Sequence, residues 1–593
     1  VILIVSEFMK HGYGSIAMTD IFAGTSGPHN ASIAIVGESY GSDEAYLQQP
    51  FVGRSGQEND KILSECGLSR DSIFCTNVIN SQPWKNEMWR FFHPTQEARA
   101  LGKTLIRGLY PQDNVILGLE KVRQQLAIVQ PDIVIGYGNY ALWALTEDDF
   151  KIGDKDKRKV PTGIGAWRGS QLYCRPDMGG FPLLPTYHPA AALRTWPWRT
   201  LIKHDLSQRL PKAFEYGGWQ EPKRDFIIRP SFDQTMKYIV NLAVMLKTSP
   251  TPTEVSCDLE TRNGHIACCG LGYDDASSDA ICIPFMCAEN PEGYFTLDEE
   301  AMIVTNLCYI LTHPNIRLIG QNFLYDAQYF AKWWGITVKC FFDTMLMHHL
   351  CWPGTPMGLG HLSSLYCDYH CYWKDEGDIG EDKEWGKDVP EEQLWEYNCK
   401  DVINTTEVKY ELVTVIKDCG LEAQAAIQMA QFPMLLEMQL RGTLINTDMR
   451  ARLSMDLVAA VDSRREWLRH IIGEDVMPTK PKASCWTGSP KQQGELFYDL
   501  LAVRPPKGRS MDDDALERIG KINPILTPIT QTIQEMRSLR TFNSNFCKAR
   551  LDLDKRLRCS YNPTAKTFRY KSSRNAFGTG TNLMNIPEGR EED

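Results

Sequence analysis

From Ile33 onward, short apolar runs of strand character alternate with helical stretches: IAIVGE, then KILSECGL, then SIFCTNVI, then PDIVIGYG, then LLPTYHP. Parallel strands need a long crossover connection, usually a helix, and those helices cover both faces of the sheet. The alternation therefore predicts a three-layer α/β domain with a largely parallel sheet, ending near Leu210. It uses only part of the 593 residues. At about 150 residues per domain the chain has room for roughly three to five.

Residues 211–225 follow, with Gly217, Gly218 and Pro222 and no periodicity, and read as a mobile tether. A second unit starts with a helix around 238–246, turns at 249–252 and enters the strand EVSCDLET. Further strands at Gly270 and Ile281 and helices around 324–334 and 391–412 give an α/β or α+β unit to about Gly420. The remainder is mainly helical by period, with a Gly/Ser/Asn-rich tail from Ser572. The reading is thus an α/β multidomain protein divided at 1–212, a linker 213–225, 226–420 and 421–593.

Hydrophobic residues at 43% and charged residues at 23% are globular values. No apolar run reaches the roughly 18 residues that span a bilayer, and the opening VILIV is too short for a signal-peptide core. A cytoplasmic protein with no membrane partner is expected. The 18 cysteines, scattered through a large chain, read as reduced thiols. A net charge of −10 advertises no nucleic-acid partner globally, so basic clusters have to be sought locally.

Asp258 and Glu260 in CDLET are the most informative residues. Two apart on a strand, they point to one face, and paired carboxylates are costly unless a cation neutralises them. Asn322 and Asp326 in GQNFLYDAQYF are four apart, as are Tyr397 and Asp401 in EYNCKD, a spacing that puts each pair on one helix face. Four acids, an amide and a phenol suit two hard cations, Mg²⁺ or Mn²⁺, acting at a phosphodiester. On this reading Asp258, Glu260, Asp326 and Asp401 hold the ions and Tyr397 orients the attacking water.

DLET, NFLYD and YNCKD, in that order and spacing, resemble the three exonuclease motifs of the proofreading domain in family A (DNA polymerase I-like) DNA polymerases. DTMLMHHL at Asp343 resembles the strand–helix segment between the second and third. The resemblance implies an RNase H-like fold, 3′→5′ removal of mispaired ends as nucleoside monophosphates, and contact of Asn322 with DNA. QFPMLLEMQLRGTLINTD resembles the opening of the polymerase domain in the same family. TFRYKSSRNAFGTGTNLMNIP resembles its Thr-Gly-Arg and Asn-Leu-Gln-Asn-Ile-Pro stretch, with Phe568 for glycine and Met584 for glutamine. It implies that Arg569, Ser572, Ser573 and Asn582 touch template-primer. Between Glu535 and Arg574 lie eleven Lys/Arg against three acids, a local surplus suited to phosphate contact. The palm carboxylates of that family follow its Asn-Ile-Pro run. A chain stopping at Asp593 is therefore expected to be a fragment that does not itself polymerise.

In the first domain, GESYGSDEAYLQQPFVGRSG, FCTNVI and PTYHPAAALR resemble motifs of uracil-DNA glycosylases, across nearly all of 33–206. The resemblance implies that Phe51 stacks on a flipped base, Asn77 pairs with it, Glu38 aligns a water and His188 stabilises the leaving uracil anion. Tyr40 stands where the family has proline. The four cysteines that hold an iron–sulfur cluster in many members have no equivalents, so no cluster is expected. Other motifs carry less. Gly136, Gly138 and Ala141 lack the acidic strand end of a dinucleotide site, and His361, Cys367, His370 and Cys371 match no common zinc spacing.

The leading expectation is a replicative family A DNA polymerase fragment with a glycosylase-like front domain, a fusion resembling those of some large bacteriophages. Its partners are primer-template, single-stranded 3′ ends and replication proteins. The alternatives are a non-catalytic DNA-binding scaffold and a repair enzyme that joins uracil excision to end trimming.

Overall fold

The computed structural model describes residues 21–147, 152–155, 158–273, 279–290, 292–377, 385–473, 488–505 and 508–586. The VILIV opening and the final Pro587 to Asp593 lie outside the described residues.

In the first domain the strand-like runs become β1 (Ile33–Ser39), β2 (Ile73–Ile79), β3 (Ile133–Tyr137), β4 (Leu172–Tyr173) and β5 (Pro182–Thr186). Between and after them lie α1 (Arg54–Glu65), α2 (Asp113–Val129), α3 (Asn139–Leu145), α4 (Pro189–Arg194) and α5 (Pro197–Tyr216). The sheet order is β2-β1-β3-β5-β4, parallel except for the edge strand β4. All seven residues of β2 and all five of β3 are buried, which is why they read as unbroken apolar runs. One apolar cluster lies on each side of the sheet, completing the three layers.

The tether expected over 211–225 is not what forms. Helix α5 runs through Pro211 to Tyr216 and ends at Gly217 in the left-handed conformation. Trp219 is buried, with its backbone N–H on the Tyr173 hydroxyl at 3.1 Å, and Arg224 pairs with Glu407 at 3.3 Å. Pro and Gly commonly break elements, but here the helix carries Pro211 inside it and a short docked crossing follows.

The second unit is built on β6 (Asp225–Ile227), β7 (Thr253–Arg262), β8 (His265–Gly272), β9 (Asp279–Pro284), β10 (Ile316–Gly320) and β11 (Cys340–Asp343). Its sheet order is β11-β10-β7-β8-β9-β6, with β7-β8-β9 an antiparallel meander flanked by parallel pairs. Helices α6 (Phe232–Thr248), α7 (Leu297–Leu311), α8 (Leu324–Tyr329), α9 (Thr344–Cys351), α10 (Leu359–Tyr366) and α11 (Glu391–Asp418) surround it. The third region is helical, with α12 (Phe432–Arg441), α13 (Thr447–Ile472), α14 (Asp513–Ile522) and α15 (Thr527–Phe542), and the last three share a core of their own. A short hairpin of β12 (Ser560–Asn562) and β13 (Lys571–Ser573) follows.

The first two domains meet through buried polar bonds. Arg168 and Asp205, both fully buried, form an ion pair, and Arg168 also donates to the Ser364 hydroxyl at 2.8 Å. Arg209 donates to the carbonyls of Ser364, Cys367 and Asp368 at 2.9, 2.9 and 2.7 Å. Among the described residues no helix is long and apolar enough to cross a membrane.

Candidate functional site

The pleat of β7 sends Val255, Cys257 and Leu259 into the core and turns Ser256, Asp258 and Glu260 to the opposite face. Helix α11 crosses that face. Its approach depends on Gly270, the β8 partner of Asp258, where a Cβ would fall 2.5 Å from Asn398 Oδ1 and 2.7 Å from Val402 Cγ2. Asn398 then donates to Asp258 Oδ2 at 2.8 Å. Tyr397 and Asp401 sit one turn apart on the same helix. Carboxylate oxygens of Asp258, Glu260 and Asp401 all lie within 4.8 Å of one another.

Close packing of like charges in a cleft penalises ionisation. Burial, with the Asp401 charge second, pushes Asp258 up to about 7. Burial and then the Asp258 charge hold Glu260 well above the usual carboxylate range. Converging hard oxygens that resist ionisation together fit a divalent cation of the Mg²⁺ or Mn²⁺ kind, which removes that penalty.

The fourth acid is placed differently. Asp326 is buried beside Asp258, but its Oδ1 accepts the Leu259 backbone N–H at 3.0 Å, and it is not one of the three converging acids. Nor does Asn322 share a helix face with Asp326. It lies before α8 in the left-handed conformation, φ 57°, so a four-residue spacing that reads as one helical turn is a turn followed by a helix. That turn is held by Asp343, whose carboxylate accepts from the backbone N–H groups of Asn322, Phe323, Met345 and Leu346 at 3.2, 2.8, 3.0 and 3.2 Å.

Two further residues reach the site without a periodic signal to announce them. Trp373 Nε1 donates to Asp401 Oδ1 at 2.7 Å, and Lys374 forms an ion pair with the same carboxylate while donating to the Tyr397 hydroxyl at 2.7 Å. They belong to a segment that leads from α10 towards α11. Gly377 allows it to wrap Tyr397, since a Cβ there would meet the ring at 2.7 Å. Of His361, Cys367, His370 and Cys371, His370 is engaged through Nδ1 with the Ser363 hydroxyl at 3.0 Å.

In the first domain the residues at the C-terminal ends of the strands converge. Phe51 stacks on His188 with ring centroids 5.9 Å apart and meets Tyr137 edge-on, also at 5.9 Å. Gly37 lets Asn77 and Phe51 close in, a Cβ there falling 2.2 Å from Asn77 Oδ1 and 2.7 Å from Phe51 Cζ. Glu38 accepts the Tyr140 N–H at 3.1 Å, and burial pushes it up to about 7. Burial pushes His188 down to about 4, and its Nδ1 accepts the Ala190 N–H at 3.1 Å, which leaves the proton on Nε2 of a neutral ring. Tyr40 is buried and donates to the Gly24 carbonyl at 2.8 Å. An iron–sulfur cluster does not fit: residues 24–207 contain three cysteines, Cys66 just after α1, Cys75 in β2 and Cys174 just after β4, and Cys75 and Cys174 are buried.

In the third region Ser572 bonds Asn582, and the Met584 N–H donates to both side chains at 3.1 Å. Arg569 and Ser573 are exposed. Part of the basic surplus is spent internally, since Arg558 pairs with Asp552 and Asp554 at 2.7 and 2.6 Å and Arg537 pairs with Asp513 at 3.1 Å.

The uracil DNA glycosylase superfamily model matches residues 24–207, and the 3′-5′ exonuclease model matches residues 234–417. The Type-4 uracil-DNA glycosylase of Saccharolobus solfataricus is 29% identical over 184 residues, 30% of this chain and 70% of that protein. That of Archaeoglobus fulgidus is 26% identical over 200 residues, 33% of this chain and 82% of that protein. Among solved structures, the POL domain of Pol1 from M. smegmatis in complex with DNA primer-template and dNTP aligns with a TM-score of 0.42 at 18% identity, covering 59% of this chain and 55% of that one. The chain thus joins a uracil-DNA glycosylase superfamily domain over residues 24–207 to a 3′-5′ exonuclease domain over residues 234–417.

Proposed function

We propose that the chain works in DNA replication as the proofreading unit of a family A DNA polymerase, removing mispaired 3′ ends as nucleoside monophosphates. The observation that carries this reading is the convergence of Asp258, Glu260 and Asp401 within 4.8 Å, with Tyr397 one turn before Asp401. Those acids, with Asp326 adjoining, would hold Mg²⁺ or Mn²⁺, which polarises the phosphate and lowers the pKa of a bound water. Tyr397 orients the attacking water through its hydroxyl. The water oxygen bonds to phosphorus, the P–O3′ bond breaks, and the shortened strand keeps the oxygen as its 3′-hydroxyl. Asn398 fixes the rotamer of Asp258 and Trp373 that of Asp401, so the acids are aimed before substrate arrives.

The polymerase part of the reading rests on the motifs in 421–593. Arg569, Ser572, Ser573 and Asn582 are proposed to contact template-primer; β13 carries the two serines, of which Ser572 is bonded to Asn582. In the first domain, Phe51, Asn77, Glu38 and His188 are proposed to receive a flipped uracil, with His188 Nε2–H donating to the leaving base.

The test is digestion of a 5′-labelled, 3′-mispaired primer-template with Mg²⁺. Stepwise shortening that disappears in Asp258→Ala/Glu260→Ala is expected. Salt-sensitive DNA binding with no shortening would sink the catalytic reading and leave a scaffold.

A further inference from the structure

Three carboxylates converge within 4.8 Å, and the structure places a lysine ammonium against one of them. Lys374 Nζ is paired with Asp401, donates to the Tyr397 hydroxyl at 2.7 Å and lies 4.6 Å above the Tyr397 ring centroid. Its positive charge also acts on Asp258 and Glu260, opposing the rise that burial imposes on each. One side chain therefore touches or influences the three acids and the phenol.

The position is built. The preceding Trp373 is 4% exposed and tied to the other oxygen of Asp401. Farther back, the segment is bonded to the first domain: Gln171 N–H donates to the His370 carbonyl at 2.7 Å, His370 N–H donates to Gln171 Oε1 at 2.8 Å, and Tyr372 N–H donates to the Ser170 hydroxyl at 3.2 Å. The lysine side chain itself is 24% exposed, on a flexible four-carbon stem, so it is free to swing where its backbone is not.

Resting on the proposed metal-dependent exonuclease, we propose that Lys374 is the internal counter-ion of the metal-free site and a positioning residue for Tyr397 and Asp401, displaced from Asp401 when a divalent cation loads. A metal ion held by Asp401 would repel an ammonium paired with the same carboxylate. Metal binding then has to break the lysine's pairing, and removing the lysine removes a competitor. An arginine keeps a competing cation in place.

The experiment is Mn²⁺ titration of the full chain without DNA, by calorimetry, for the wild type, Lys374→Met and Lys374→Arg. At least fivefold tighter Mn²⁺ binding is expected in Lys374→Met, with Lys374→Arg close to wild type. Unchanged or weaker binding in Lys374→Met overturns the inference while leaving the metal site intact. No Mn²⁺ binding by any of the three overturns the metal-dependent reading, and the inference with it. A second measurement needs no variant: acylation of Lys374 in the wild type, read by mass spectrometry, should rise at least twofold on adding MnCl₂. Acylation that stays level or falls contradicts displacement.

Discussion

Tyr397 accepts the Lys374 ammonium on its hydroxyl oxygen at 2.7 Å, and the same hydroxyl is hydrogen-bonded to Asp401, which fixes its orientation at the edge of the acid cluster. Replacing it with phenylalanine keeps the ring's packing and removes only the hydroxyl. Groups that position or move protons at a reacting water contribute on the order of 10²-fold or more. Tyr397→Phe is therefore expected to lower the exonuclease turnover about 10²-fold without changing DNA affinity, checked by single-turnover digestion beside a binding titration. Glu38 gives the pH-dependent case. Its carboxyl is raised to about 7, and the water-aligning role proposed for it needs the ionised form, so the proposed uracil excision should climb as pH rises through about 7 and level above it. The stability effect has the opposite sign. A folded-state pKa above the unfolded 4.5 means that the folded protein binds the extra proton, so this contribution is full below about 4.5 and lost as pH rises through about 7. Glu38→Gln should thus abolish excision yet raise the melting temperature at pH 8, with the gain vanishing near pH 4. A glutamine variant no more stable than wild type at pH 8 would contradict the burial argument.

At the scale of elements, what was legible in the sequence was what repeats. Period two put Asp258 and Glu260 on one face of β7, and a four-residue step put Tyr397 and Asp401 on one face of α11. Asn322 and Asp326 have the same step but no continuous helix, because φ 57° at Asn322 is a turn that spacing does not encode. Trp373 and Lys374 lie on an aperiodic segment, and their target is 27 residues or more along the chain, so only the fold brings them to Asp401. Asp343 was legible as part of a motif but not as the residue that sets the Asn322 turn. It caps α9 and accepts four backbone N–H groups, joining the end of β10 to the end of β11. Losing a cap costs roughly 0.5–2 kcal/mol, and stranding a buried donor costs about 1–3 kcal/mol. Asp343→Ala should destabilise the exonuclease domain by about 2–4 kcal/mol in urea unfolding. It should also slow digestion, because Asp326 follows that turn. Asparagine, which keeps an acceptor oxygen, should recover part of both losses.

For the whole molecule, the docking between the first two domains bears on the exonuclease site. Arg209, 1% exposed on α5 of the glycosylase-like domain, donates to three carbonyls at the end of α10 in the exonuclease domain. A helix end leaves its last carbonyls without partners, and here another domain's guanidinium supplies them. The chain leaving that helix end runs through His370 and Tyr372, both bonded to the first domain, into Trp373 and Lys374 on Asp401. The first domain is thereby part of the support of the second domain's site, whatever it does with uracil. Arg209→Ala strips three acceptors of a charged donor at once, and bonds to charged groups are worth about 1.5–3 kcal/mol each where buried. The expected result is faster amide hydrogen exchange across residues 364–374 and a several-fold slower exonuclease, with exchange in β1 and β3 of the first domain unchanged. If exchange in 364–374 stays at the wild-type rate, the segment holds itself and the two domains are merely neighbours. If β1 and β3 also exchange faster, the arginine supports its own domain rather than the junction.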